Sequence, residues 1–150
     1  MKIYLASRYS RRVELCDYRS QLEQLGHSVT SRWLNGKHQL SRDGLRIGAV
    51  GEEYVEAGSD REAAELRAFF AEEDMEDVRT ADLVIAFTEF PRAKASRGGR
   101  HVELGMALAW SKPVYLVGPR ENVFCWLPSV QQFSQFDEVI VRLTPRQITL

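Results

Sequence analysis

Residues 83–117, LVIAFTEFPRAKASRGGRHVELGMALAWSKPVYLV, contain the pattern that decides the fold. An apolar run at 83–88 predicts a buried strand, and 101–110 has the apolar spacing of a helix. A second apolar run at 113–117 predicts another strand. Two parallel strands need a crossover connection, which is usually a helix, so this stretch predicts a strand, a helix and a parallel strand.

The sequence on either side repeats the alternation. Strands are predicted at 3–6, 27–34 and 138–143, and helices at 10–25 and at 59–79, where Ser59-x-x-Glu62 forms a capping-box pattern. The polar, glycine-dotted residues 35–58 are typical of a loop beside a site. The pattern favours a single α/β domain over 1–150: a doubly wound, flavodoxin- or Rossmann-like fold with a five-stranded, mainly parallel sheet and flanking helices.

The predicted sheet also predicts where a ligand binds. Sheets of this kind bind ligands at the carboxyl ends of their strands. The loops that leave these ends begin at Ser7, Trp33, Glu89 and Gly118. We therefore expect these loops to share one edge of the molecule.

The composition excludes several classes of protein. With 44% hydrophobic residues among 150, the chain can bury a core and is not disordered. No apolar run approaches the roughly 20 residues of a membrane span, so no membrane partner is expected. The net charge of −1 argues against binding a nucleic-acid polymer. Cys16 and Cys125 are interpreted as reduced packing thiols of a cytoplasmic protein.

Arginine supplies most of the positive charge. Of the 20 basic residues, 16 are Arg and four are Lys. One interpretation is the codon bias of a GC-rich genome, and the other is a site for an anion, since Arg binds carboxylates and phosphates bidentately. Arg8 and Arg11 follow the first strand, and Arg97 and Arg100 follow the third. Both groups are expected at the ligand-binding edge.

Two acidic residues fall at apolar positions of predicted helices. Asp74 lies on the apolar stripe of Phe70 and Val78, and Glu103 is followed at helical spacing by Met106. A plainer interpretation exists for each: Asp74 belongs to a solvated acidic helix end with its acidic neighbours, and Glu103 is a favourable charge in a first helical turn. Two carboxylates at the mouth of a parallel sheet suit glycosidic chemistry, in which one group attacks the anomeric carbon.

Other chemistry receives little support from the sequence. His27, His38 and His101 have no metal-ligand spacing with the cysteines. The Arg-Gly-Gly-Arg string at 97–100 matches neither phosphate-binding nor dinucleotide-binding glycine motifs. We expect no metal and no cofactor.

Three segments resemble the nucleoside 2-deoxyribosyltransferase superfamily, which includes the 2'-deoxynucleoside 5'-monophosphate N-glycosidases. The segments are YLAS at 4–7, DMEDVRTAD at 74–82 and GGRHVELGMA at 98–107. The resemblance implies a retaining double displacement at C1' of the deoxyribose. It makes Glu103 the nucleophile, Tyr4 the residue that orients its carboxylate, and Asp74 the group that contacts the substrate and assists proton transfer. Gly98 belongs to the loop whose backbone approaches the sugar.

The resemblance also implies substrate contacts and an assembly. Asn122 lies in a segment similar to one that reaches a neighbouring subunit's sugar in the transferases, so a homodimer or larger homo-oligomer is expected. The transferases carry a second aspartate six residues before the nucleophile, where this chain has Arg97 preceded by Ser96. The hydrolases place a serine there to bind a 5'-phosphate. Ser96 lies one position away from that register, and Ser7, Arg8 and Arg97 favour the same phosphate interpretation.

The sequence therefore predicts an enzyme that cleaves the N-glycosidic bond of a 2'-deoxynucleoside or its 5'-monophosphate. A covalent deoxyribosyl–Glu103 intermediate would transfer the sugar to a free nucleobase. Trp33 is predicted to stack on or clamp the base. Hydrolysis of deoxynucleoside 5'-monophosphates and non-catalytic nucleotide sensing are the alternatives.

Overall fold

Short apolar segments form one parallel sheet in the computed structural model, which describes residues 1–36, 61–89 and 98–145. The strands are β1 (Lys2–Ala6), β2 (Ser28–Val29), β3 (Leu83–Phe87), β4 (Val114–Val117) and β5 (Val130–Phe133). Neighbouring strands are all parallel, and their order is β2–β1–β3–β4–β5. This is the flavodoxin-like order, whose ligands bind where the strand order reverses, between β1 and β3. The predicted α/β fold is confirmed.

Helices cover the sheet, whose central strand β3 is buried throughout. In the described residues they are α1 (Arg12–Gln24), α2 (Arg61–Thr80), α3 (Gly99–Ala109), α4 (Phe136–Leu143) and the 3-10 helices Tyr9–Arg11, Arg32–Asn35 and Val123–Trp126. None of the helices in this part of the chain is long and apolar enough to cross a membrane. Residues 37–60, which hold most of the predicted loop and the Ser59 capping box, lie outside the described residues.

The fifth strand lies earlier in the chain than the sequence predicts. Residues 138–143 belong to α4, so the prediction of a strand there is wrong. Phe136 and Val139 are both buried, and their i, i+3 spacing is that of a helix face. In β5 Val130 and Phe133 are buried, while the two glutamines between them are exposed. This departs from the alternation typical of a strand, and pairing with β4 defines the strand instead.

β2 is shorter than the strand predicted at 27–34. It has two residues and is followed by the 3-10 helix Arg32–Asn35. Two side chains from this stretch bind the backbone of Leu5 in β1. Ser31 Oγ accepts a hydrogen bond from the Leu5 N–H at 2.7 Å, and Trp33 Nε1 donates to the Leu5 carbonyl at 2.9 Å. Because these side chains bind the backbone N–H and carbonyl of Leu5, those groups do not need hydrogen bonds from the backbone of β2.

A close backbone contact fixes the turn after β4. Gly118 has a φ of +116°, and a Cβ there would lie 2.8 Å from both the carbonyl oxygen and Oγ1 of Thr88. Gly118→Ala is therefore expected to lower the free energy of unfolding by at least about 2 kcal/mol, since it adds a clash to an unfavourable φ. Urea unfolding measures this change.

A second glycine provides the control for that experiment. Gly105 lies inside α3, and a Cβ there would have no atom within 4 Å. Gly105→Ala is expected to stabilise the protein by about 0.5–1 kcal/mol, the usual gain inside a helix. Wild-type stability in Gly118→Ala would contradict the predicted clash.

Candidate active site

Three side chains from distant parts of the sequence meet in the structure. Tyr4 projects from β1, Asp74 from α2 and Glu103 from α3. The Tyr4 hydroxyl donates a hydrogen bond to Glu103 Oε1 at 2.8 Å. The negative charge of Asp74 acts on both of the other side chains, so its carboxylate lies near this pair. The fold thus brings together the three residues that the sequence predicts to be catalytic.

The surroundings of Glu103 favour its protonated form. The pKa of Glu103 is raised to about 8, mainly by burial and secondly by the negative charge of Asp74. The hydrogen bond from Tyr4 and the positive charge of Arg100 lower this pKa and so oppose the shift. Glu103 Oε2 is inaccessible to solvent and has no hydrogen-bond partner among the described residues. Burial is also the main cause that raises the pKa of Tyr4 well above its ordinary value, so the phenol stays a donor at neutral pH. Tyr4 therefore holds one carboxylate oxygen and leaves the other without a hydrogen bond from the part of the chain that the structure describes.

The acidic end of α2 is only partly solvated. Glu72 is exposed, Asp74 is half-buried and Asp77 is buried, so the interpretation as a solvated end is wrong for Asp77. Asp77 accepts hydrogen bonds from the backbone N–H and from Nε of Arg32, both at 2.8 Å. Burial raises the pKa of Asp77, and Arg32 opposes that shift. This ion pair ties the 3-10 helix after β2 to α2, beside Asp74.

Three arginines of the predicted ligand-binding edge are each bound to a carboxylate. Arg11 Nη2 lies 2.7 Å from Glu14 Oε1. Arg8 Nη1 lies 2.6 Å from Glu89 Oε2. Arg100 Nη2 lies 2.5 Å from Glu121 Oε1, with the two side chains 6% and 10% exposed. Glu121 also accepts a hydrogen bond from the backbone N–H of Glu89 at 3.1 Å. Sequence reasoning assigned no role to Glu89 or Glu121, although each follows a strand that ends at this edge.

The other predicted substrate contacts differ in how the structure places them. Ser7 follows β1, and its buried hydroxyl has no hydrogen-bond partner among the described residues. Trp33 is 5% exposed, and its indole N–H is bound to Leu5, so the ring packs in the core. Its predicted contact with a base stays a prediction. Ser96 and Arg97 lie outside the described residues.

The loops before α3 and after β4 hold the last two predicted residues. Gly98 precedes α3 with a φ of +79°, a left-handed conformation that glycine adopts without strain. The Asn122 side chain accepts a hydrogen bond from the Phe124 N–H at 3.0 Å and so caps the next 3-10 helix. That helix exposes Val123 and Trp126. Asn122 thus has a local role, and its contact with a neighbouring subunit's sugar stays a prediction.

A carboxylate that accepts a hydrogen bond from a phenol, with a second acid beside it, suits an enzyme that acts on glycosidic bonds. The family model described as nucleoside 2-deoxyribosyltransferase matches residues 3–140. The chain therefore belongs to the nucleoside 2-deoxyribosyltransferase family, and it is an enzyme of that type.

Two solved structures are similar to this chain. The 2-deoxyribosyltransferase of Bacillus psychrosaccharolyticus is 25% identical, with 95% of this chain and 96% of that chain covered and a TM-score of 0.64. The CMP N-glycosidase of Clostridium botulinum is 20% identical, with 95% of this chain and 98% of that chain covered and a TM-score of 0.49. A comparison with curated protein sequences gave no match.

Proposed function

We propose that this enzyme cleaves the N-glycosidic bond of a 2'-deoxynucleoside or its 5'-monophosphate and transfers the deoxyribosyl group to a free nucleobase. The observation that carries the proposal is the hydrogen bond from Tyr4 to Glu103 Oε1 beside the charge of Asp74. Base exchange needs a group that holds the sugar while one base leaves and another arrives. A carboxylate with one oxygen held by Tyr4 and the other without a hydrogen bond from the described residues suits that task.

The first step forms a sugar ester on Glu103. Its Oε2 atom attacks C1' while the bond from C1' to the base nitrogen breaks. The bonding electron pair leaves with the base, and Asp74 assists protonation of that base. Tyr4 holds Oε1, which fixes the plane of the carboxylate during the attack. The product is a covalent deoxyribosyl–Glu103 intermediate with inverted configuration at C1'.

The second step reverses this chemistry with a new base. A nitrogen of the acceptor base attacks C1', the ester bond between C1' and Oε2 breaks, and its electron pair returns to Glu103. Asp74 assists removal of the proton that the acceptor nitrogen loses. Two inversions restore the original configuration at C1'. Water in place of the acceptor base gives hydrolysis by the same route.

A panel of substrates tests the proposal. Deoxynucleosides and their 5'-monophosphates are incubated with and without a second free base, and the products are separated by liquid chromatography. We expect release of the first base and formation of the deoxynucleoside of the second. Base release without a new nucleoside would assign hydrolysis instead of transfer. Thermal stabilisation by nucleotides with no base release would identify a non-catalytic sensor and contradict the proposal.

A further inference from the structure

Glu89 forms an ion pair with Arg8, the arginine that the sequence predicts to bind a 5'-phosphate. We propose that Glu89 is a specificity-determining residue: by holding Arg8 it disfavours a 5'-phosphate, so the enzyme acts on 2'-deoxynucleosides in preference to their 5'-monophosphates. The inference rests on the proposed function, because it concerns the substrate of the same site.

The ion pair lies at the carboxyl ends of the two central strands. Arg8 follows β1, which carries Tyr4, and Glu89 follows the neighbouring strand β3. Arg8 Nη1 lies 2.6 Å from Glu89 Oε2, and the side chains are 21% and 19% exposed. Arg8 Nε also donates to Ser10 Oγ at 3.1 Å. Two nitrogens of the Arg8 guanidinium group are therefore bound to other side chains. The group is partly buried, so solvent screens its charge only in part.

Two hydrogen bonds and one electrostatic interaction link this ion pair to the nucleophile. The Glu89 N–H donates to Glu121 Oε1 at 3.1 Å, and the same oxygen accepts from Arg100 Nη2 at 2.5 Å. The charge of Arg100 in turn acts on Glu103. The pair is therefore connected to the surroundings of Glu103 through Glu121 and Arg100, and the proposal places the 5' end of the sugar on this side of the nucleophile.

A 5'-phosphate meets two obstacles at this pair. A phosphate monoester carries roughly −1.5 to −2 charges at neutral pH, so the carboxylate of Glu89 repels it. Its oxygens must also displace Glu89 before they can bind the fork of Arg8. Arg100 offers no replacement, since Glu121 already binds it. A 5'-hydroxyl carries no charge and needs no guanidinium, so it meets neither obstacle.

Glu89→Gln tests the inference because it keeps the shape of the side chain and removes its charge. The ratio of kcat/KM for a 5'-monophosphate to kcat/KM for the nucleoside should rise at least about tenfold. Arg8→Gln added to Glu89→Gln should abolish the gain, because the phosphate then lacks its partner. The control Glu76→Gln removes a carboxylate from an exposed ion pair with Arg79 and should leave the ratio unchanged.

Binding measurements separate this inference from the proposed function. Calorimetric titration of both ligands into Glu103→Gln, with and without Glu89→Gln, should show the same tenfold gain for the monophosphate. Glu89→Ala provides a second variant with the same expectation. An unchanged ratio in both assays, a wild-type preference for the monophosphate, or absence of nucleoside binding would overturn the inference. If the binding ratio changes as expected but the wild type releases no base, the proposed function is contradicted and the inference about Glu89 is not.

Discussion

Glu103→Gln is expected to lower the rate of base release by at least about 10³-fold while the protein stays folded. The amide carries no negative charge and cannot form the sugar ester at C1'. Its shape is almost that of the carboxylate, and its oxygen can still accept the hydrogen bond from Tyr4, so substrate binding should persist. The rate of base release measures the loss, and calorimetric titration measures the binding that remains.

A matched variant shows whether the loss is specific to the site. Glu72 lies on α2, two residues before Asp74, and its side chain is exposed. Glu72→Gln makes the same chemical change and should release base at the wild-type rate. Base release by Glu103→Gln within a few-fold of the wild type would exclude Glu103 as the nucleophile. An equal loss in both variants would show that the effect does not arise at Glu103.

Most of the fold could be predicted from apolar patterns because its central strands are buried on both sides. β1 and β3 have continuous apolar runs, and such runs identify buried parallel strands without any knowledge of their partners. The errors lie at the periphery. The edge strand β5 has too few buried residues to form a pattern, and residues 138–143 are apolar enough to resemble a strand. Their helical period is clear only when Phe136 is included.

Asp74 and Glu103 stand out in the sequence because carboxylates on apolar faces are unusual, whereas their predicted catalytic roles, and that of Tyr4, come from the family resemblance. Asp74 and Glu103 interrupt apolar stripes, which is a pattern visible along one helix. The partners of the arginines leave no such pattern. Arg8 and Glu89 are 81 residues apart in sequence and meet at 2.6 Å, and β1 and β3 position them by pairing. A count of charged residues does not distinguish an ion-paired arginine from an unpaired one. The sequence therefore predicts a positively charged edge, whereas in the structure arginines of this edge form ion pairs.

Asp74→Asn is expected to lower kcat about 10²-fold, because an amide cannot assist proton transfer to and from the base. The acidic limb of its pH profile should also move. In the wild type kcat/KM should rise with pH up to about 8, since burial and the charge of Asp74 raise the pKa of Glu103 to about 8 and the nucleophile must be ionised. Asp74→Asn removes the negative charge that raises this pKa, so the limb should move to lower pH.

Tyr4→Phe should move the same limb in the opposite direction. It removes the hydrogen bond that lowers the pKa of Glu103, so ionisation of the nucleophile should require a higher pH. The control Asp17→Asn changes an exposed aspartate of α1 and should alter neither kcat nor the limb. A slow Asp74→Asn enzyme whose limb stays in place would limit Asp74 to substrate contact. If the acidic limb moves in the same direction in both variants, Asp74 and Tyr4 do not have opposed effects on the pKa of Glu103. Movement in opposite directions requires that both residues act on the charge of Glu103.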